Sequence, residues 1–282
     1  MIRYLSYWML PVVSGIVWLG MLLAMLLYWI YQTDRRIYPS MADRQTIAYI
    51  SDVGAFELKP LFVAGCAVTA VFFDLSFLAD RWLRHRGRLV PNTTRTEKIL
   101  MGLTIVFAII GTVGLVCLSI FDTERHEQLH RLFLLLFIVG YLLSAIFVCW
   151  EYQRLGIKNR EHSNLAASFW VKLVFIIVEF FLAIAFAVNM MLKNSNPAAI
   201  LEWVVAFVFS FYIFSFVMDL WPAIHTKPRA NRFSKPGMIQ DAGTPSSMDM
   251  EEGAGGRASI IPGQQYPRYM EQAPSRNYRG VS

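Results

Sequence analysis

Six apolar stretches decide what this chain can fold into. They run over Tyr7–Tyr31, Pro60–Ala79, Ile99–Phe121, Leu132–Trp150, Phe169–Leu192 and Ala198–Trp221. A bilayer core demands roughly 20 mostly apolar residues of helix, and at about 1.5 Å per residue each stretch reaches across it. Lipid offers backbone N–H and C=O groups no partner, so spanning segments are helical. The expected fold is therefore all-α: a polytopic six-transmembrane-helix bundle over residues 7–221, after a short cytosolic N-terminus at 1–6. Composition agrees, since 16% of the 282 residues are charged and 56% hydrophobic, against about 25% charged in a soluble domain. The first stretch is too long for a signal-peptide core and no small-residue cleavage site follows it, so it is read as a retained helix.

The cations give the orientation. With the N-terminus inside, 14 Lys and Arg residues near the spans fall on the cytosolic side and 7 on the outer side. The positive-inside rule then places both termini in the cytosol. Seven of the eight tryptophans, all but Trp18, fall near span ends, as an aromatic belt requires. Cys66, Cys117 and Cys149 all lie within spans, which leaves no outer-loop disulfide framework. The sequon at Asn92 falls on the cytosolic side, where it would not be used. Residues 222–282 hold seven of the twelve prolines and are expected to form a disordered cytosolic tail.

Polar residues supply the candidate sites. The basic inner loop carries Arg81, Arg84, Arg86 and Arg88, and the tail opens with Lys227, Arg229, Arg232 and Lys235. Cations at such positions attract anionic inner-leaflet lipid by about 1 kcal/mol each. Within the spans, Asp74, Lys172, Glu179 and Asp219 carry the cost of charge in lipid. Lys172 and Asp219 lie near the cytosolic ends and are expected to snorkel. Lys172 and Asp74 fall at similar depth, where they could pair. Glu179 shares a helical face with Phe175, Ile176 and Ala183, which suggests a packed face rather than a lipid-facing one. In the outer loop at 32–59, Ser51-Asp52-Val53-Gly54 reads as a turn in which Gly54 supplies a positive φ.

His126-Glu127-Gln128-Leu129-His130 matches a zinc-protease string, but no third ligand follows it and Glu202 is the one acid at comparable depth. The string reads instead as a solvated helix start capped by Asp122-Thr123. No nucleophile elbow, phosphate-binding glycine loop or Cys-x-x-Cys pair is present. Neither catalysis nor a metal or other cofactor is expected, and nucleic acid is not an expected partner.

Several short motifs occur in a telling order: Leu10-Pro11, Tyr49-Ile50-Ser51-Asp52-Val53-Gly54, Ser119-Ile120-Phe121-Asp122-Thr123, His130, Glu151-Tyr152, Glu179, Glu202-Trp203, Tyr212 and Asp219-Leu220-Trp221-Pro222. In these the chain resembles the Frag/DRAM/Sfk group of six-span membrane proteins over roughly residues 5–224, most closely its fungal Sfk-type members. Animal relatives commonly have Asp after the His that precedes span four; here Arg131 follows His130. The resemblance implies a non-catalytic plasma-membrane protein that helps retain a phosphatidylinositol 4-kinase complex and takes part in lipid organisation. Other branches imply Golgi remodelling of GPI-anchor lipid or lysosomal and autophagic roles, and a lipid or proton transporter using Asp74 and Glu179 is a further alternative. The resemblance also points to an outer cluster of Ser51, Asp52, Gly54, His130 and Glu202.

Overall fold

A computed structural model describes residues 6–159 and 163–224. The expected tail, with Lys227, Arg229, Arg232 and Lys235, lies outside the described residues. The helices are α1 (Met9–Leu27, continued by a π-helical turn at Tyr28–Gln32), the short α2 (Ile50–Val53), α3 (Lys59–His85), α4 (Arg95–Ile120), α5 (Glu127–Lys158), α6 (Ser163–Met191) and α7 (Ser195–Leu220). All but α2 are long and apolar enough to cross a membrane, giving six spans.

The spans pack in a ring that follows chain order, α1 on α3, then α4, α5, α6 and α7, with α7 returning to α1. The short connections from α4 onward make consecutive helices antiparallel neighbours. The start of α1 and the end of α7 share one end of the bundle, called basal below. Residues 33–58 cover the opposite, capped end.

Helix ends extend past the apolar stretches. α3 continues from Ala79 to His85 and α5 from Trp150 to Lys158. Asp80 and Glu151 in these extensions pair with Arg84. α4 starts with a reciprocal cap: Thr94 Oγ1 accepts from the Glu97 N–H at 3.3 Å, and the Glu97 carboxylate accepts from the Thr93 and Thr94 N–H groups at 2.8 and 3.0 Å. α6 ends in a Schellman turn. Lys193 takes a left-handed φ of 56°, and the Asn194 N–H donates back to the Asn189 carbonyl. That turn sends the chain directly into α7.

Small residues set the helix spacing. A Cβ added at Gly114 would lie 2.4 Å from the Phe137 nitrogen, and one at Gly140 would lie 2.5 Å from the Gly111 nitrogen. α4 and α5 therefore meet backbone to backbone, the contact that small residues permit where lipid supplies no hydrophobic drive. At the bundle centre Phe73 meets Phe216 at 5.2 Å and Phe209 at 5.9 Å, both edge-on. With Phe77 and Tyr212 these rings form an aromatic layer between the two ends.

Candidate functional site

At the capped end the loop is tied to the start of α7. The Asn196 side-chain oxygen accepts from the Thr46 and Ile47 N–H groups at 2.8 and 3.0 Å, and Trp203 Nε1 donates to the Ala48 carbonyl at 2.9 Å. Glu202 accepts from the Ile50 N–H at 2.7 Å. Inside the loop, Asp52 is 1% exposed. It accepts from the Ser40 hydroxyl at 2.6 Å, the Tyr49 N–H at 3.0 Å and the Gln45 amide at 3.3 Å. Burial raises the Asp52 carboxyl above its ordinary value despite those donors. Burial also pushes the Tyr49 phenol up to about 12, with the Glu202 and Asp52 carboxylates adding to the effect.

The expected positive φ at Gly54 is not found: its φ is −78°. The glycine is needed for space, because a Cβ there would lie 2.6 Å from the Phe62 ring. The turn is one of helix, so no left-handed residue is required.

His130 is buried, and its Nδ1–H is shared between the Phe121 and Leu118 carbonyls at 2.8 and 3.0 Å. His126 is the residue before α5 and its ring packs edge-on against Phe121 at 5.5 Å. No cluster of three His, Cys, Asp or Glu side chains converges among the described residues. Asp122 and Thr123 do not cap α5, whose N-cap is His126 and has no side-chain cap bond; Asp122 instead holds the turn before it, accepting from the Arg125 N–H at 2.8 Å, and pairs with Lys59 at 2.6 Å. Burial pushes its carboxyl up, but Lys59 and the Arg125 N–H outweigh this and leave it below the ordinary carboxylate value.

Beneath the cap lies a cavity of about 110 Å³, lined mainly by apolar and aromatic side chains of α5, α6 and α7. Glu179 and Glu202 both line it, and Tyr212 lies in its wall. One Glu179 oxygen and the Tyr212 hydroxyl are buried without a hydrogen-bond partner. Asp74 stands apart in the ring, accepting from Thr112 Oγ1 at 2.8 Å, and that hydroxyl also meets the Tyr141 hydroxyl at 2.7 Å.

The basal end holds a buried charge network. Lys172 is 0% exposed and pairs with Asp219 at 2.5 Å. It also donates to Ser168 at 2.8 Å, and its ammonium lies 4.3 Å from the Phe216 ring centre. Ser168 in turn bonds Asp219. Arg84 pairs with Asp80 at 2.7 Å, approaches Glu151 at 3.9 Å and donates to the Val90 carbonyl at 3.0 Å. Tyr152 joins the halves, since its hydroxyl reaches Asp80 at 3.5 Å while Arg84 and Lys172 each lie 5.0 Å from its ring centre. Asn92, the sequon asparagine, donates its amide to Glu151 at 2.7 Å. Cys149 is buried nearby, its thiol 4.0 Å from the Phe169 carbonyl.

Three expectations are corrected here. Lys172 and Asp219 do not snorkel, because each is the other's buried counter-ion. Lys172 does not pair with Asp74, because helix rotation turns it toward α7 while Asp74 faces Thr112 on α4. Arg84 is not a lipid-facing cation, because α3 continues as helix and its turn points Arg84 at Asp80 and Glu151. Arg81 and Arg86 are exposed; Arg88 is half-buried, donates to the Ala223 carbonyl and lies 5.9 Å from the Tyr7 ring centre.

Asp80 and Ser168 escape the sequence reading because they lie just outside the apolar stretches. The i,i+4 spacing of Asp80 and Arg84 was the available signal for the first. The loop anchors Ser40, Gln45 and Asn196 carry no comparable signal.

The charge of the two surfaces differs. Among the described residues at the basal end, every acid is buried: Asp80, Glu97, Glu151 and Asp219. Arg81, Arg86, Arg95, Lys98, Arg154 and Lys158 are exposed there. At the capped end exposed acids such as Asp34, Asp43, Glu57 and Glu124 are interspersed with exposed bases. Arg86 stacks over the exposed Trp82 ring at 4.5 Å.

A ring of six spanning helices, covered at one end by its own loop and cross-linked at the other by buried ion pairs, defines a multi-pass helical membrane protein. Residues 6–223 match the family described as the Frag1/DRAM/Sfk1/Cwh43P N-terminal domain, and the chain belongs to that family. It is 32% identical over 214 residues to Protein sfk1 of Schizosaccharomyces pombe, covering 76% of this chain and 63% of that protein. It is 31% identical over 173 residues to Protein SFK1 of Saccharomyces cerevisiae, covering 52% of this chain and 49% of that protein. The aligned part thus spans 63% of the first relative's length and 49% of the second's. No solved structure matches.

Proposed function

We propose that this is a plasma-membrane protein, with both termini in the cytosol, that helps retain a phosphatidylinositol 4-kinase complex at the inner leaflet. It thereby regulates phosphoinositide signalling and lipid organisation, and it acts by binding lipid and protein partners rather than by catalysis. The observation that carries this reading is the sorting of charge at the basal end. Asp80, Glu151 and Asp219 turn inward to pair with Arg84 and Lys172, and Glu97 caps α4 and pairs with Lys158 at 3.8 Å, while Arg81, Arg86, Arg95, Lys98 and Arg154 face outward. Such a surface suits an anionic leaflet, with each cation contributing about 1 kcal/mol of attraction. The similarity to the fungal Sfk proteins supports the same branch.

The test is to image the full chain and a phosphatidylinositol 4-kinase complex together at native expression, with Arg81, Arg86, Arg95 and Lys98 changed to Gln. The expected result is a plasma-membrane signal for the protein and kinase retention that falls in the variant while the protein itself stays in place. Unchanged retention overturns the basal-surface reading. A Golgi signal, or a lysosomal or vacuolar one, overturns the branch and favours GPI-lipid remodelling or autophagy respectively.

A further inference from the structure

The cavity under the cap is not explained by the basal surface, and the aromatic layer of Phe73, Phe216 and Tyr212 separates the two. Its composition is selective. Two carboxyl groups, Glu179 and Glu202, line an otherwise mainly apolar wall, and no Lys or Arg side chain lines it. Glu202 is already engaged by the Ile50 N–H. Glu179 is not engaged: one of its oxygens is buried with no partner. A buried acceptor left unpaired costs about 1–3 kcal/mol, and it is satisfied when a donor arrives from outside the chain.

The route in is through the bundle wall. α5 and α6 meet near their basal ends, where Ala166 faces Gly156 and Cys149 faces Phe169. Closer to the cap, the facing rows Leu134, Ile138 and Leu142 on α5 and Ile176, Glu179 and Ala183 on α6 line the cavity and are only half-buried. Flanking α6 side chains, Ile177, Phe180 and Ile184, are exposed as lipid-facing residues are. A molecule entering along this seam is dissolved in the membrane and brings its apolar chain with it. The cavity of about 110 Å³ admits a small headgroup. Two carboxyls without a cation disfavour a phosphate beside them.

We infer that the α5–α6 seam is a binding site for a membrane amphiphile with an apolar chain and a compact, phosphate-free headgroup that donates a hydrogen bond to Glu179. The headgroup is a hydroxyl or an ammonium. Glu179 is the recognising residue, and Ala183 leaves room for the chain beside it.

The experiment uses the full chain in lipid nanodiscs and three photoreactive probes: a long-chain alcohol, a long-chain amine and a phosphatidic acid. Peptide mapping reads the site of labelling. The alcohol, the amine or both are expected to label the facing segments of α5 and α6, and phosphatidic acid is not. Glu179→Leu removes the acceptor and is expected to lower that labelling about tenfold, the loss of one buried charge-assisted hydrogen bond. Ala183→Phe fills the seam, keeps both carboxyls and is expected to lower it as well. Glu179→Gln separates the two headgroups: it keeps an acceptor for an alcohol but removes the charge that holds an amine. Absence of labelling at the seam by both donor probes, equal labelling there by phosphatidic acid, or labelling indifferent to both Glu179→Leu and Ala183→Phe overturns the inference. None of these outcomes bears on kinase retention, so this proposal and the basal-surface reading fail separately.

Discussion

The capped and basal ends both bury carboxylates, but they satisfy them with different partners. At the capped end Asp52 and Glu202 are held by backbone N–H groups and neutral side chains, while Asp122, at the α4–α5 turn, pairs with Lys59. Asp52 is held by Ser40, Gln45 and the Tyr49 N–H, and Glu202 by the Ile50 N–H. At the basal end Asp80, Glu151 and Asp219 have Arg84 and Lys172 as partners, and among the described residues only Glu97, which caps its own helix, is held by backbone N–H groups. The difference has a mechanical meaning. A carboxylate bonded to backbone N–H groups fixes the path of a loop, whereas one bonded to a cation on another helix fixes how two helices sit together. Asp219 and Lys172 join α7 to α6, while Glu202 fastens the loop to α7.

The comparison predicts unequal damage, and the largest effect belongs to the basal end. Lys172→Met leaves Asp219 buried without a counter-ion, a loss of about 3–5 kcal/mol. A large drop in the thermal midpoint in detergent is expected, and Lys172→Met combined with Asp219→Leu should restore most of it, because a buried pair replaced by apolar residues is often close to neutral. If the double variant is as unstable as the single, the pair is not what holds α6 to α7.

Glu202→Leu comes next. It strands the Ile50 N–H and costs about 1–3 kcal/mol. Hydrogen exchange should quicken across residues 46–53 and stay unchanged in α3 and α5 at the basal end. Exchange that quickens throughout the bundle would show that the cap is not a separate local unit.

The smallest effects are the pH responses of the cap, where two acids slope in opposite directions. Asp122 has its carboxyl held below the ordinary value, so its stabilisation is present above the ordinary carboxylate range, near pH 4, and is lost as pH falls through the lowered value. Asp52 is raised, so its contribution is fully present below that range and is lost as pH rises through its own higher value. The Lys59 side chain is 33% exposed, which keeps the Asp122 effect to about 1 kcal/mol or less. Lys59→Met should flatten the acid-side loss in a thermal midpoint measured against pH, and Asp52→Asn should remove the loss on the other side. A Lys59→Met protein with the original acid profile would assign that loss to another carboxylate.

Much of the architecture was legible before any coordinates. Six apolar stretches of sufficient length leave only helices, because the bilayer penalises unpaired backbone polar groups, and short connections make consecutive spans antiparallel neighbours in a compact bundle; that the bundle closes into a ring with α7 beside α1 came from the structure. The order of short motifs pointed to the family by resemblance. The shared helical face of Phe175, Ile176, Glu179 and Ala183 was also legible, because a spacing near 3.6 residues places them on one stripe.

Which polar groups meet was not legible. Depth along a helix follows from residue number, so Lys172 and Asp74 looked like equals. Rotation about the helix axis is set by how neighbouring helices pack, and it gave Lys172 to Asp219 and Asp74 to Thr112. The same packing turned Arg84 inward, left Arg81 and Arg86 outside, and made Gly54 necessary for its missing side chain rather than its φ. The chain alone determined the number and chain order of the spans, since these follow from transfer of residues between water and lipid. The tertiary structure decided the charge partners, the cap and the cavity, since these depend on distances between residues far apart in sequence.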